Sequence, residues 1–345
     1  MRILKQLSEA LGVSGEEGEV REVIRGLIEN HVDDIQVDTM GNLLAFKQGT
    51  SRSQDRMTVL IDAHMDEVGL IVSGYTSDGM LKVKAVGGLD DRILPGKRVL
   101  VGPDRIPGVI GVKPVHLLSG GEYSSIVRIE SLRVDIGVAS RDAASGKAPL
   151  GARIAFDTPF MDLGGRLRGK AFDDRAGCAV LVHILQGERY PFDLVGAFVV
   201  QEEVGLRGAR VAAHRVRPDA AFVLEGTIAD DLPKEDDESP TTELDKGPAL
   251  SVMDRSVIYD KRLNQLLIDT AEELGIDYQF KQPGVGGTDG GAITHALEGI
   301  PAAAISVPCR YIHSPAAMCS KRDYRNAIKL LGVTLGRLDR SVLAR

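Results

Sequence analysis

The feature that most constrains how this 345-residue chain can fold is a change of period part-way along it. From about Val68 to Met161 helical spacing nearly vanishes, and short β-branched segments alternate with glycine turns, at residues 69–73, 81–86, 98–101, 108–112 and 131–136. That pattern predicts a small all-β unit. On either side the chain alternates strand and helix. Ahead of the block come a helix over 3–11, a break at Gly12-Val13-Ser14-Gly15 and a second helix over about 16–30, with Ser14 and Glu17 spaced as a capping box. A hairpin follows, residues 35–37 and 43–46 about Met40-Gly41-Asn42, and then the nearly continuous apolar run 57–62, the mark of a strand buried on both faces. Behind the block the spacing predicts a helix over 173–186, strands at 195–200 and 220–224, a helix over 261–274, a strand at 302–307 and a final helix from about 320 to 337. A chain that leaves an α/β pattern and returns to it reads as one α/β domain, residues 1–67 and 162–345, interrupted by an inserted β-rich domain at 68–161.

Composition narrows the function. A hydrophobic share of 43% with 26% charged residues is ordinary for a globular protein. The net charge of −7 argues against nucleic acid or an anionic membrane as partner, since both call for basic patches. No run approaches the ~18 to 20 apolar residues of a membrane span, and Met1-Arg2-Ile3-Leu4-Lys5 lacks the apolar core of a signal peptide. Cys178, Cys309 and Cys319 make no paired framework and no metal spacing, so a reduced, cytoplasmic protein is expected. There is no Trp and only 4% aromatic residues, a poor kit for stacking sugar rings.

In an open α/β sheet ligands bind at the carboxyl ends of the strands, and polar residues collect where these strands are expected to stop. The first strand runs into His64 and Asp66, the 195–200 strand into Gln201-Glu202-Glu203, the 220–224 strand into Glu225, and the 302–307 strand is followed by Arg310-Tyr311-Ile312-His313. Asp173-Asp174 stands at the start of a helix that returns to the same edge. Each has a plain alternative: structural histidines, solvated strand ends, a pair of helix-capping acids. Taken together they form an oxygen and nitrogen donor set without thiolate, suited to zinc, cobalt or manganese in a two-metal hydrolase. Glu202 and Glu203, adjacent in an extended segment, are expected to diverge, one to ligate and one to reach a water.

Four motifs carry a resemblance: His64-Met65-Asp66-Glu67-Val68-Gly69, Gly169-Lys170-Ala171-Phe172-Asp173-Asp174-Arg175-Ala176-Gly177, Gln201-Glu202-Glu203-Val204-Gly205-Leu206-Arg207-Gly208-Ala209 and His313-Ser314-Pro315. In order and spacing they resemble the TET-type dinuclear metallo-aminopeptidases, the glutamyl- and deblocking-aminopeptidase family, some of whose members are labelled endoglucanases. The similarity spans nearly the whole chain. It implies a mixed-sheet α/β/α metallopeptidase domain interrupted by a small all-β domain used for dimerisation, and assembly from dimers up to tetrahedral dodecamers. It also implies a peptide substrate and two divalent ions per subunit, zinc or cobalt. Asp173 would bridge the ions, His64 and Glu225 would complete one shell, and Glu203 and His313 the other. Glu202 would be the general base, Asp66 would orient His64, and the Asp173–Asp174 bond would be cis. Two departures stand out: Glu225 replaces the aspartate frequent at that position, and the acidic stretch 235–238 differs from the family's usual loop.

Other features read more simply. Gly284-Val285-Gly286-Gly287-Thr288-Asp289-Gly290-Gly291 lacks the Lys-Ser/Thr of a phosphate-binding loop and is expected to wall the substrate pocket. His183 falls on an apolar helix face, as a structural residue would. A glycan hydrolase and a non-catalytic assembly protein of the same fold are the alternatives to a peptidase.

Overall fold

The computed structural model describes residues 1–53, 55–233 and 239–344. The acidic stretch 235–238 singled out above lies outside them. The N-terminal part holds α1 (Arg2–Glu9), α2 (Gly18–Ile28), β1 (Asp34–Val37), β2 (Leu43–Lys47) and β3 (Thr58–His64). Next come β4 (Gly69–Tyr75), β5 (Leu81–Val86), β6 (Arg98–Val101), β7 (Ile106–Gly111), β8 (Arg133–Asp135), α3 (Arg141–Lys147) and β9 (Arg153–Phe156). The remainder is β10 (Met161–Asp162), β11 (Arg166–Gly169), α4 (Phe172–Gln186), β12 (Asp193–Val199), α5 (Arg207–Val216), β13 (Ala220–Ile228), β14 (Ala249–Ser251), α6 (Lys261–Leu274), β15 (Gln279–Phe280), α7 (Asp289–Thr294), β16 (Ala302–Arg310), β17 (Ala317–Ser320) and α8 (Lys321–Arg337).

The large sheet has the order β1-β2-β12-β3-β13-β16-β17-β11-β10, with β14 also paired to β16 and to β15. Its centre, β12-β3-β13-β16, is parallel, and both flanks are antiparallel. Parallel strands covered on both faces need apolar side chains on both, and every residue of β3 after Thr58 is buried. On one face α1, α2, α4, α6 and α8 close over a core that includes Leu4, Ile24, Leu181, Leu267 and Leu331. On the other, α5 and α7 cover Leu60, Val195, Val223 and Ala304. Helix α4 is apolar all round because it runs between the sheet and other helices, and only its ends reach polar surroundings.

Strands β4-β5-β8-β7-β6-β9 close an antiparallel barrel filled by its own core, among it Leu70, Val83, Val99, Ile110, Val134 and Phe156. Closure removes the edges that short strands would otherwise expose. The fold is therefore the expected mixed α/β architecture with a separate small all-β body.

Several local expectations differ. Ser14 and Glu17 form no capping box: α2 starts at Gly18 without a side-chain cap, Ser14 donates to Asp66, and Glu17 accepts from the Gly15 N–H. A tertiary partner has taken the hydroxyl that local spacing assigned to the helix. Strand β13 runs through Glu225 to Ile228 instead of stopping before it, because β16 offers ladder partners as far as Cys309. All three cysteines are free and buried, and no helix among the described residues is long and apolar enough to cross a membrane.

Candidate active site

Parallel pairing puts the carboxyl ends of three strands at one edge of the sheet. His64 closes β3 opposite Val199, the last residue of β12, while Glu225 lies in β13 just beyond Val223, which pairs with Asp62. Past β12 the chain does not stay extended as expected. Gln201 and Leu206 adopt left-handed backbone (φ 60° and 55°), and the Glu202 carbonyl accepts the N–H groups of Gly205 and Leu206, so Glu202-Glu203 sits in a tight turn. The two side chains still part, because the turn aims them at different histidines. His313 follows β16 after Tyr311, and both residues have positive φ.

Asp173 lies at the centre. Its Oδ1 is 3.3 Å from His64 Nε2 and its Oδ2 is 3.5 Å from His313 Nε2. Around His64 Nε2 stand Glu225 Oε2 at 3.7 Å and Glu202 Oε2 at 3.9 Å, while Glu203 Oε2 is 3.3 Å from His313 Nε2. Three sets of donors, His64/Asp173/Glu225, Asp173/Glu203/His313 and His64/Glu202/Glu203, each have their atoms within 4.8 Å of one another. Glu225 Oε1 is buried with no hydrogen-bond partner, which is what an acid awaiting a cation looks like. The donor set is hard, lacks sulfur and mixes imidazole with carboxylate, so it can hold a divalent metal ion.

The neighbouring Asp174 faces the other way. Its carboxylate accepts from the Gly177 N–H at 2.8 Å, inside the first turn of α4, and from the His64 N–H at 3.3 Å. Both aspartates have non-helical backbone and the bond between them is cis. Asp66 ties the strand ends together. Its Oδ1 is 3.4 Å from His64 Nδ1 and accepts the Glu202 N–H, while Oδ2 accepts the Glu203 N–H and the Ser14 hydroxyl at 2.6 Å. The other face of His313 is held by the Gly88 carbonyl, 3.0 Å from Nδ1, in the loop after β5. Beneath this layer Glu67 receives Lys170 at 2.6 Å and Arg175 at 3.2 Å, and those two cations also bond the Leu7 and Ala10 carbonyls that end α1.

The charges betray crowding. Burial, aided by neighbouring acids, pushes Glu202 up to about 7 and Glu203 up to about 8, and raises Glu225 and Asp174 well above the carboxylate range. Burial acts on Asp173 in the same direction but loses to the hydrogen bonds of His313 and His64, which hold it low. Burial would lower both histidines, yet the carboxylates prevail; His64 is raised and His313 is pushed up to about 9. Such a group of acids cannot all ionise in a poorly hydrated site unless cations join them.

The edge opens into a cavity of about 750 Å³. Asp173, Glu202, Glu203, Glu225 and His313 form one wall, and Gly286, Gly287 and Thr288 of the glycine-rich run form another. His183 packs edge-on to Tyr324, away from the donor sets. Four participants carry no mark that spacing could expose. Ser14 and Gly88 act through contacts across the fold. Asp62 and Asp289 are fully buried, and burial raises both above the carboxylate range, Asp62 to about 7.

Comparison with known proteins agrees with this geometry. Over 332 residues the chain is 37% identical to a putative aminopeptidase of Acetivibrio thermocellus, covering 95% of this chain and 96% of that protein. It is 30% identical to the lysyl aminopeptidase of Pyrococcus furiosus, covering 97% and 96%. Among solved structures, a TET aminopeptidase from the marine sediment archaeon Thaumarchaeota archaeon SCGC AB-539-E09 superposes with a TM-score of 0.93 at 37% identity, covering 99% and 97%. The Pyrococcus horikoshii TET1 peptidase, described as assembling into a tetrahedron or a large octahedral shell, gives 0.87 at 32%, covering 98% and 99%. A Thermotoga maritima protein described as an endoglucanase gives 0.81 at 38%, covering 97% and 96%. The family model for M42 glutamyl aminopeptidase matches residues 41–330, and this chain belongs to that family of peptidases.

Proposed function

We propose that this chain is a two-metal aminopeptidase that removes the N-terminal residue from peptides, with zinc or cobalt as its ions. The observation that carries the reading is Asp173, whose two carboxylate oxygens face two different histidines. One set, His64, Asp173 and Glu225, would hold one cation and the other, Asp173, Glu203 and His313, the second. Such cations supply Lewis acidity toward a carbonyl and lower the pKa of a water. Glu202 takes the proton of the attacking water on its carboxylate and returns it to the leaving amine. Its place suits the task, beside His64 yet less closely engaged than Asp173 or Glu225. Asp66 acts by fixing the His64 ring and the Glu202-Glu203 turn.

The same reading takes residues 68–161 as an inserted dimerisation unit and the chain as a cytoplasmic homo-oligomer. Exposed Val115, Leu117 and Tyr123 in the long β7–β8 connection support an assembly surface there. Chemistry disfavours the activity in the endoglucanase name of one similar structure: glycan hydrolysis needs two carboxyls about 5–9.5 Å apart across one bond, whereas these acids crowd shared histidines.

Dialysis against a chelator should abolish cleavage of aminoacyl-anilides, and zinc or cobalt should restore it. Full activity in a sample shown to be metal-free would sink the proposal. Sugar release from cellulose that survives chelation would favour the glycanase.

A further inference from the structure

Two thiols that the reaction does not use face each other at the base of the His313 loop. Strands β16 and β17 are antiparallel, with Cys309 opposite Cys319 and Arg310 opposite Met318. Cys309 turns its backbone toward β13, where its carbonyl accepts the Ala229 N–H. A strand residue carries its N–H and C=O on the same side, so Cys309 and Cys319 make a non-hydrogen-bonded pair. In such pairs the side chains come closest, with Cα atoms about 4.5 Å apart. Directly opposed residues share a face of the sheet, and both thiols lie in the core closed by α4 and α8, each 0% exposed. Both are free, and Cys309 Sγ donates to the Val307 carbonyl at 3.3 Å. The third thiol, Cys178, sits apart on α4 and donates to the His64 carbonyl.

A disulfide spans Cα atoms about 4.4–6.8 Å apart, most often about 5.5–6 Å. An opposed pair of this kind is within reach at the short end, and closing the bond spreads the strands by about 1 Å. We infer that Cys309 and Cys319 are a redox pair whose disulfide shifts the His313 loop and releases one metal ion. The bond follows from the strand register, while the release of the ion rests on the two-metal reading of the site. The pair lies one ladder position inside a hairpin tip that carries Tyr311, 47% exposed, and the partly exposed His313. Fraying of Arg310 from Met318 admits an oxidant as small as hydrogen peroxide. Burial pushes the Cys309 thiol well up, with the facing Cys319 as the next cause, so the pair reacts slowly while the hairpin is closed. One sulfur attacks a peroxide oxygen and becomes a sulfenic acid as the O–O bond breaks and water leaves. The other sulfur then attacks the first, and a second water leaves as the S–S bond forms. The two thiols thus lose two electrons and two protons, and one peroxide becomes two waters.

Metal-loaded protein treated with hydrogen peroxide provides the test, its peptides mapped by mass spectrometry before and after a dithiol reductant. The expected product joins the peptides that hold Cys309 and Cys319. Once the linkage is complete, cleavage of aminoacyl-anilides should fall by about 10²-fold, the scale of a misplacement of about 1 Å. Elemental analysis should show one ion lost, and reductant with added zinc should restore ion and rate. Cys309→Ala and Cys319→Ala, made separately, should each cleave as wild type does before treatment and resist the peroxide. Absence of the linkage, a complete linkage with ions and rate unchanged, or an equal loss in the alanine variants would overturn the inference. Hydrogen exchange across residues 310–318 gives a readout independent of turnover. Faster exchange there on oxidation, in a protein that binds no metal, would uphold the redox pair and reject the two-metal reading. A linkage that costs neither ion nor rate, in a protein that chelation stops, would do the reverse.

Discussion

Asp173 and Asp174 are chemically identical neighbours with opposite surroundings. One turns both oxygens toward histidines, while the other accepts N–H groups from α4 and β3. Asp173→Asn should therefore strip metal from the protein, read as less than one ion per chain by elemental analysis. Asp174→Asn should retain the ions and lower stability by about 1 kcal/mol, the usual worth of a helix cap, read by chemical denaturation. A reversal of these effects would show that the wrong aspartate has been placed at the centre. Glu202→Gln should cut kcat by about 10²- to 10⁴-fold, the range of general acid–base catalysis, with metal content unchanged. At this scale the residue types were legible from the chain, since His64, Asp173, Glu202, Glu203, Glu225 and His313 all stood near expected strand or helix ends. Ser14 and Gly88 were not, because a serine hydroxyl and a glycine carbonyl take their meaning from partners far along the sequence.

Elements set the tolerances within which those residues work. Strand β13 passes so close to the Asp173 segment that a Cβ on Gly226 would lie 2.7 Å from the Asp173 Cα and 2.9 Å from its N, both backbone atoms that cannot swing aside. Gly226→Ala should force the two segments apart, with a stability loss of about 1–3 kcal/mol and a weaker hold on metal, seen as faster loss of ions to a chelator. An unchanged metal off-rate would mean that the sheet accommodates the methyl elsewhere. Periodicity placed the long elements well: α4, α6 and α8 lie where apolar spacing put them. It failed where a local pattern competed with a distant partner. Ser14 left its helix for Asp66, and the backbone after β12 turned sharply where an extended strand had been expected. A strand of four residues has little sequence in which to show a period, and β9, β11 and β17 escaped notice although β1 and β6, of the same length, did not.

For the whole molecule the site is an electrostatic load that the fold sustains. Glu202, Glu203, Glu225, His64 and His313 all bind protons more tightly when folded than when unfolded. Between about pH 4.5, the ordinary carboxylate value, and about pH 9, where His313 titrates, the folded state thus carries extra protons, and metal-free protein should lose stability as pH rises. Cations take the place of those protons, so added zinc or cobalt should raise the midpoint of thermal unfolding most at the alkaline end and should release protons on binding. Scanning calorimetry of chelated and loaded protein from pH 5 to 9 checks this; a flat or rising metal-free profile would contradict it. Light scattering should find the protein larger than a single chain if the exposed β7–β8 connection packs against another copy.

By itself the sequence determined the class of fold and the kind of chemistry. Apolar runs and helical spacing are local consequences of burial, and the carboxylates and imidazoles that follow them are read residue by residue. Only the tertiary structure decided how the labour is divided. Which aspartate faces the histidines depends on a backbone that is non-helical at both positions. Where Ser14 spends its hydroxyl depends on a segment 52 residues away. Burial and partnership are properties of packing, and no stretch of chain holds them alone.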